Sequence, residues 1–176
     1  PLGNLTNLLM LDISHNELTE LTDDTLRNLT NLWRLDISGN KLTELPDTLG
    51  NLTNLLLLNI SSNKLTELRE SLGNLTNLQE LDISENELTE LPDTLGNLTN
   101  LERLYIDSNK LTKLDKLRNL TNLQELYISS TKIRTIPAWV GSLKQLKKLN
   151  LSGLNLHSLP PDILDLDLPF NFSGYI

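Results

Sequence analysis

The stretch LWRLDISGNKLTELPDTLGNL, residues 32–52, changes its periodicity half-way along. In the first half Leu35 and Ile37 alternate with Arg34, Asp36 and Ser38, the period-two signature of a short strand with one buried face. In the second half Leu45, Leu49 and Leu52 are spaced by 4 and 3 residues and punctuated by Pro46 and Gly50. That spacing predicts a short helical or 3-10 segment in place of a full helix. Strand and return segment together make one coil, and a single coil cannot bury its own leucines.

The same order recurs along the chain. Units of the form L-x-x-L-x-[IL] begin at Leu8, Leu32, Leu55, Leu78, Leu101, Leu123 and Leu146, at spacings of 24, 23, 23, 23, 22 and 23 residues. We number these coils 1 to 7. Self-similarity at this period predicts stacked units in which each leucine covers its equivalent in the next coil. Parallel strands stack about 4.8 Å apart, whereas the bulkier return segments need more room, so the array bends with its strands inside. The expected architecture is an α/β right-handed solenoid with a concave parallel sheet and convex short helical or 3-10 segments and loops. It is expected to be a single domain over residues 1–176, with a partial repeat at 1–7 and a C-terminal cap at about 167–176.

This pattern resembles the leucine-rich-repeat family, L-x-x-L-x-L-x-x-N-x-L, over residues 2–166. The continuation LTELPDTLGNLTNL, residues 42–55, resembles the short 23-residue class of intracellular and bacterial members, and lacks the S-G-x-I-P core of plant receptor ectodomains. The resemblance implies protein binding and leaves the partner unnamed. It also implies a structural asparagine ladder at Asn16, Asn40, Asn63, Asn86 and Asn109. There a buried amide satisfies N–H and C=O groups of both neighbouring coils that strand pairing does not reach. Thr131 and Leu154 take that position in the last two coils, so a looser or differently curved C-terminal end is expected.

A second phrase, NLTNL, stands at 4–8, 28–32, 51–55, 74–78, 97–101 and 119–123, then loosens to SLKQL at 142–146. Its leucines read as core, and its Asn and Thr as turn chemistry where the return segment meets the next strand. Each phrase is also a formal N-glycosylation sequon; Asn59, Asn150 and Asn171 bring the total to nine. The structural refrain is the preferred reading, because cysteine-bounded caps are absent.

Composition removes several classes. With no cysteine there is no disulfide, thiolate metal site or cysteine nucleophile, and a cytoplasmic location is expected. No basic-then-apolar leader opens the chain, and no apolar run reaches the roughly 18 residues that span a bilayer. The net charge of −8 argues against a nucleic-acid partner. That charge is polarised: residues 1–102 hold 17 acids against 5 bases, and residues 103–150 hold 10 bases against 3 acids. The two histidines, His15 and His157, fall in coils 1 and 7, too far apart for one dyad or metal site. No catalytic motif, cofactor or metal is expected, and the chain is read as a non-enzyme.

The ends carry two further expectations. PLGNLTNL at 1–8 begins inside a repeat, so the first coil is expected to lack cover, leaving a monomer or weak self-association through that coil. The ending LPPDILDLDLPFNFSGYI, residues 159–176, places Phe170, Phe172 and Tyr175 where they would cap the last coil. It also resembles the segment joining repeats to the GTPase unit in some bacterial Roco-type proteins. No G-x-x-x-x-G-K-[ST] phosphate loop is present, so the alternative function is a regulatory or sensing segment of a larger multidomain protein such as a Roco-type GTPase.

Alternation places two columns on the concave face. One reads Met10, Arg34, Leu57, Glu80, Arg103, Glu125, Lys148; the other reads Asp12, Asp36, Asn59, Asp82, Tyr105, Tyr127, Asn150. The acids of the second column are read as solvated and partly paired, with Arg34 as a neighbouring cation. Trp33 and Leu56 flank the columns. The partner-binding residues are expected to be Arg103, Tyr105, Tyr127 and Lys148, with Trp33, Arg34, Leu57 and Met10 at the other end. Tyr and Arg offer large contact area with a polar handle. The bland alternative for the tyrosines is a cross-strand pair that stabilises the sheet.

Overall fold

The computed structural model describes residues 2–166 and Leu168. Each coil contributes one strand of three residues: β1 Met10–Asp12, β2 Arg34–Asp36, β3 Leu57–Asn59, β4 Glu80–Asp82, β5 Arg103–Tyr105, β6 Glu125–Tyr127 and β7 Lys148–Asn150. All seven lie parallel in one sheet in sequence order. The register runs Met10–Arg34–Leu57–Glu80–Arg103–Glu125–Lys148, so the two expected columns exist as straight rows across the sheet. Between those columns the central leucines, Leu35 to Leu126, are buried at 1 % exposure or less. Burying a leucine fully is worth roughly 1.5–3 kcal/mol, and the coils share these side chains in one continuous core.

The return segments are 3-10 turns, among them Asp47–Asn51, Glu70–Asn74, Asp93–Asn97 and Ala138–Ser142. The two irregular spacings are absorbed here. Coil 1 spends its extra residue on a short α-helical turn, α1 Asp23–Leu26, closed by the Arg27 N–H donating to the Asp23 carbonyl. Coil 5, one residue short, contracts its turn to Asp115–Leu117. The strands on either side keep their register. Adjacent return segments approach closely: a Cβ on Gly73 would stand 2.4 Å from the Thr94 Cβ, which is why a glycine is needed there.

The asparagine ladder forms in coils 2 to 5. Asn86 is typical: its amide nitrogen donates to the carbonyls of Ile60, Ile83 and Ser84, and its oxygen accepts from the Leu65 N–H. Asn16 departs from the expectation. It is exposed and reaches only Ile13 and Ser14 of its own coil. In coil 6 the Thr131 hydroxyl donates within its own coil, to the Ile128 carbonyl. Strand pairing nevertheless continues to β7, with the Ile128-to-Asn150 bond at 3.1 Å against 2.8–2.9 Å for its equivalents from Ile37 onward. The expected cap formed by Phe170, Phe172 and Tyr175 lies outside the described residues.

A second amide ladder explains NLTNL better than turn chemistry alone. The second asparagine of each phrase donates to the threonine carbonyl of the preceding coil: Asn31 to Thr6, Asn54 to Thr30, Asn77 to Thr53, Asn100 to Thr76 and Asn122 to Thr99, all at 2.8–2.9 Å. The signal was present in the sequence as an asparagine kept at one position in five consecutive junctions.

Candidate functional site

The sequence-predicted residues separate into two groups on the concave face. Tyr105 and Tyr127, opposite each other on β5 and β6, stack with ring centroids 4.8 Å apart and planes inclined by 25°. Beside them runs a row of alternating charge. Arg103 Nε donates to Glu80 at 2.7 Å, and Lys148 Nζ donates to Glu125 at 3.0 Å. The Tyr127 hydroxyl donates to the same Glu125 at 3.2 Å. Arg103 and Lys148 are therefore engaged cations. The acids that hold them, Glu80 and Glu125, belong to the site although the sequence reading left them out; opposite charges on facing strands were the available signal.

The electrostatics follow from this packing. Burial, reinforced by Glu80 and Glu125, pushes the Tyr105 phenol up to about 12. Burial and the Glu125 carboxylate raise Tyr127 as well. Both rings stay neutral at physiological pH and keep a hydroxyl that can donate or accept. The hydrogen bond with Glu80 raises Arg103, and that with Glu125 raises Lys148. The basic surplus of residues 103–150 is thus carried off this row, on exposed side chains such as Lys113, Arg118, Lys132, Arg134 and Lys144.

The other group is apolar. Met10 is 48 % exposed and its neighbour Leu9 is 57 % exposed, while Trp33, Leu56 and Leu57 are half-buried. Leu9, in the same file as Trp33 and Leu56, was missed by the sequence reading although its position matches theirs. Arg34 lies 3.6 Å from Asp36.

The acidic column matches the expectation in part: Asp12 is exposed and Arg34 lies beside Asp36, but Asp36 is buried. Its carboxylates are tied down: Asp12, Asp36 and Asp82 each accept both the backbone N–H and the hydroxyl of the serine two residues on. Asn59 and Asn150 do the same with Ser61 and Ser152. Asp36 is buried, and burial pushes the Asp82 carboxyl up despite the bonds from Ser84. Where tyrosines take the column, Asp107 supplies the carboxylate from the preceding coil, accepting the Ser129 N–H at 2.7 Å and its hydroxyl at 2.6 Å. These groups shape the strand exits. Among the described residues, no three His, Cys, Asp or Glu side chains gather as a metal site would require.

Along the entry edge of the sheet runs a groove of about 380 Å³. It is lined by Leu56 and then by amides and one acid, including Gln79, Glu102 and Gln124. No helix among the described residues is long and apolar enough to cross a membrane.

Three repeat signatures match this chain: a leucine-rich repeat region over residues 47–131, a leucine rich repeat over 2–42, and leucine rich repeats in two copies over 121–167. Internalin C2 from Listeria monocytogenes is similar over 95 % of this chain and 71 % of its own, at 31 % identity and a TM-score of 0.86. The chain belongs to the leucine-rich-repeat family. A leucine-rich-repeat protein from Leptospira interrogans is similar at 31 % identity and a TM-score of 0.76, covering 94 % of this chain. This repeat chain spans about half of that protein, 48 %. The plant peptide hormone receptor RGFR1, solved in complex with RGF2, is similar at 32 % identity and a TM-score of 0.79, over 94 % of this chain and 28 % of the receptor. No protein of curated function matches this sequence. Leucine-rich-repeat proteins commonly serve as non-enzymatic protein-interaction modules, and nothing in the arrangement above shows catalysis.

Proposed function

We propose that this leucine-rich-repeat chain is a non-catalytic interaction module that receives a partner protein on its concave sheet, anchored by Tyr105 and Tyr127. The observation that carries the reading is the stacked tyrosine pair, partly exposed and framed by Glu80–Arg103 and Glu125–Lys148. Two stiff rings with their hydroxyls neutral and their charged neighbours already held in place lose little freedom on binding. The apolar end at Met10, Trp33 and Leu57, with Arg34, is the second contact region. The acidic-to-basic polarity of the chain orients the encounter more than it strengthens it. The receptor RGFR1, whose structure holds RGF2, supports binding as the general use of such a scaffold.

The test is a pull-down from lysate with the unmodified chain and with Tyr105→Ala/Tyr127→Ala, matched for melting temperature. Capture by the first and loss by the second is the expected result. A tyrosine hot spot is worth about 2 kcal/mol, roughly thirtyfold in affinity. Equal capture by both would move the site off the tyrosines.

Four further expectations remain as proposals. A bacterial source accords with the Listeria and Leptospira relatives. A cytoplasmic location rests on the cysteine-free composition and is checked by fractionation of the source cell. Weak self-association would use the exposed Leu5, Leu9 and Met10, and light scattering against concentration measures it. The Roco-type alternative rests on a C-terminal stretch of which half lies outside the described residues; a phosphate-binding loop encoded after Ile176 would favour it.

A further inference from the structure

We propose that the entry-edge groove binds a linear, neutral, β-linked pyranose oligosaccharide laid across the coils, a second site distinct from the tyrosine face. The floor is a single file. The Gln79 N–H donates to the Leu56 carbonyl, Glu102 to Gln79, and Gln124 to Glu102, so one polar side chain is presented per coil. The rim is the second amide ladder, Asn77, Asn100 and Asn122. Each ladder amide spends one N–H on the preceding coil. That bond pins it and leaves an acceptor oxygen and another N–H available. A groove walled by fixed amides offers donors and acceptors in equal supply, which suits hydroxyl groups, since these also do both.

Spacing selects the class of ligand. The polar side chains recur once per coil, at about 4.8 Å. An extended peptide advances about 3.3 Å per residue, so its carbonyls drift out of step with the coils within a few residues. A β-linked pyranose chain advances one ring over nearly the coil repeat and keeps step. Trp33 stands one coil before Leu56 in the same file, its carbonyl accepting the Leu56 N–H at 2.8 Å, and its half-buried indole offers a platform for the apolar face of a terminal ring. Charge narrows the choice further. Glu102 lines the groove and Lys147 Nζ sits on the Gln124 side chain at 2.9 Å, so the two local charges offset, and with a net charge of −8 on the chain a uronic or sulfated ligand is disfavoured. Hydrolysis of a glycosidic bond by the usual route needs two carboxylates about the scissile bond. The groove has one, so it holds the chain without cutting it.

The test titrates the intact chain calorimetrically with cellohexaose, chitohexaose and the α-linked isomaltohexaose. Binding of a β-linked hexamer and not the α-linked one is expected. Gln79→Ala/Gln124→Ala should weaken it about thirtyfold, the loss of two hydrogen-bonding side chains. Neither glutamine belongs to the two asparagine ladders, and Gln124 accepts only an exposed bond from Lys147 Nζ at 2.9 Å, so the fold is expected to survive, checked by an unchanged melting temperature. Trp33→Ala should weaken binding separately. Tyr105→Ala/Tyr127→Ala should leave it intact; loss there would place the sugar on the concave face and overturn the groove. No binding by either β-linked hexamer at millimolar concentration overturns the proposal, as does equal binding by the double glutamine variant. Competition by a Gly/Ser peptide at equal concentration would show a peptide groove instead.

Discussion

Coils 2 to 5 and coils 6 to 7 solve the same backbone problem differently. In the first set one buried amide joins two coils, as Asn86 does with its two N–H hydrogens shared among three carbonyls and its oxygen accepting one bond. In the second set Thr131 bonds only within its own coil and Leu154 contributes burial alone. The sheet survives the change. Strand pairing carries the stack, and the amide adds satisfaction for groups that pairing leaves over.

The comparison can be broken by removing an amide where it joins coils. Asn86→Ala strands the buried Leu65 N–H and takes one of two donors from the Ile60, Ile83 and Ser84 carbonyls, and should cost about 2 kcal/mol in urea unfolding. Asn16→Ala, in the exposed first coil, should cost almost nothing under the same conditions. Equal losses would show that own-coil bonds, and not the junction, matter.

It can be sharpened by restoring the amide. Thr131→Asn should reach the Ile106 carbonyl and the Leu111 N–H and stabilise by about 1 kcal/mol. A neutral or destabilising result would mean that coil 6 is spaced too differently to accept the ladder.

The smallest effect concerns Asp82. Its folded pKa lies above the ordinary 3.8 because of burial, so the native state binds the proton more tightly than the unfolded chain. Relative stability is then greatest below 3.8 and is lost as pH rises through the folded value. Asp82→Asn keeps an oxygen for Ser84, as Asn59 does for Ser61. The variant should gain over the parent as pH rises from 3 to 7, by roughly 1 kcal/mol or less. A gain independent of pH would rule out the carboxylate as its source.

The sequence carried the repeat, the strand columns and the core, because periodicity depends only on side-chain spacing. It also placed the tyrosines side by side, since register in a repeat is arithmetic. Other features depend on what stands in the next coil. Asn16 looks like its ladder equivalents, yet its amide reaches only the Ile13 and Ser14 carbonyls of its own coil. Arg103 and Lys148 looked like free cations until Glu80 and Glu125 were found within reach. Asp36 looked solvated like Asp12, because the serine two residues away folds back on it only at a strand exit. The Asp107–Ser129 pair crosses between coils 5 and 6, and no motif within one repeat would reveal it.

The convex turns of coils 1 and 5 differ in length by two residues, yet the strands beside them pair without offset. Gains and losses of single residues therefore stay local. In an ordinary sheet such a slip would turn every following side chain inside out. A gene copied with small errors in this segment would still encode a sound array, so length variants should accumulate on the outer bend while the inner face drifts by substitution alone.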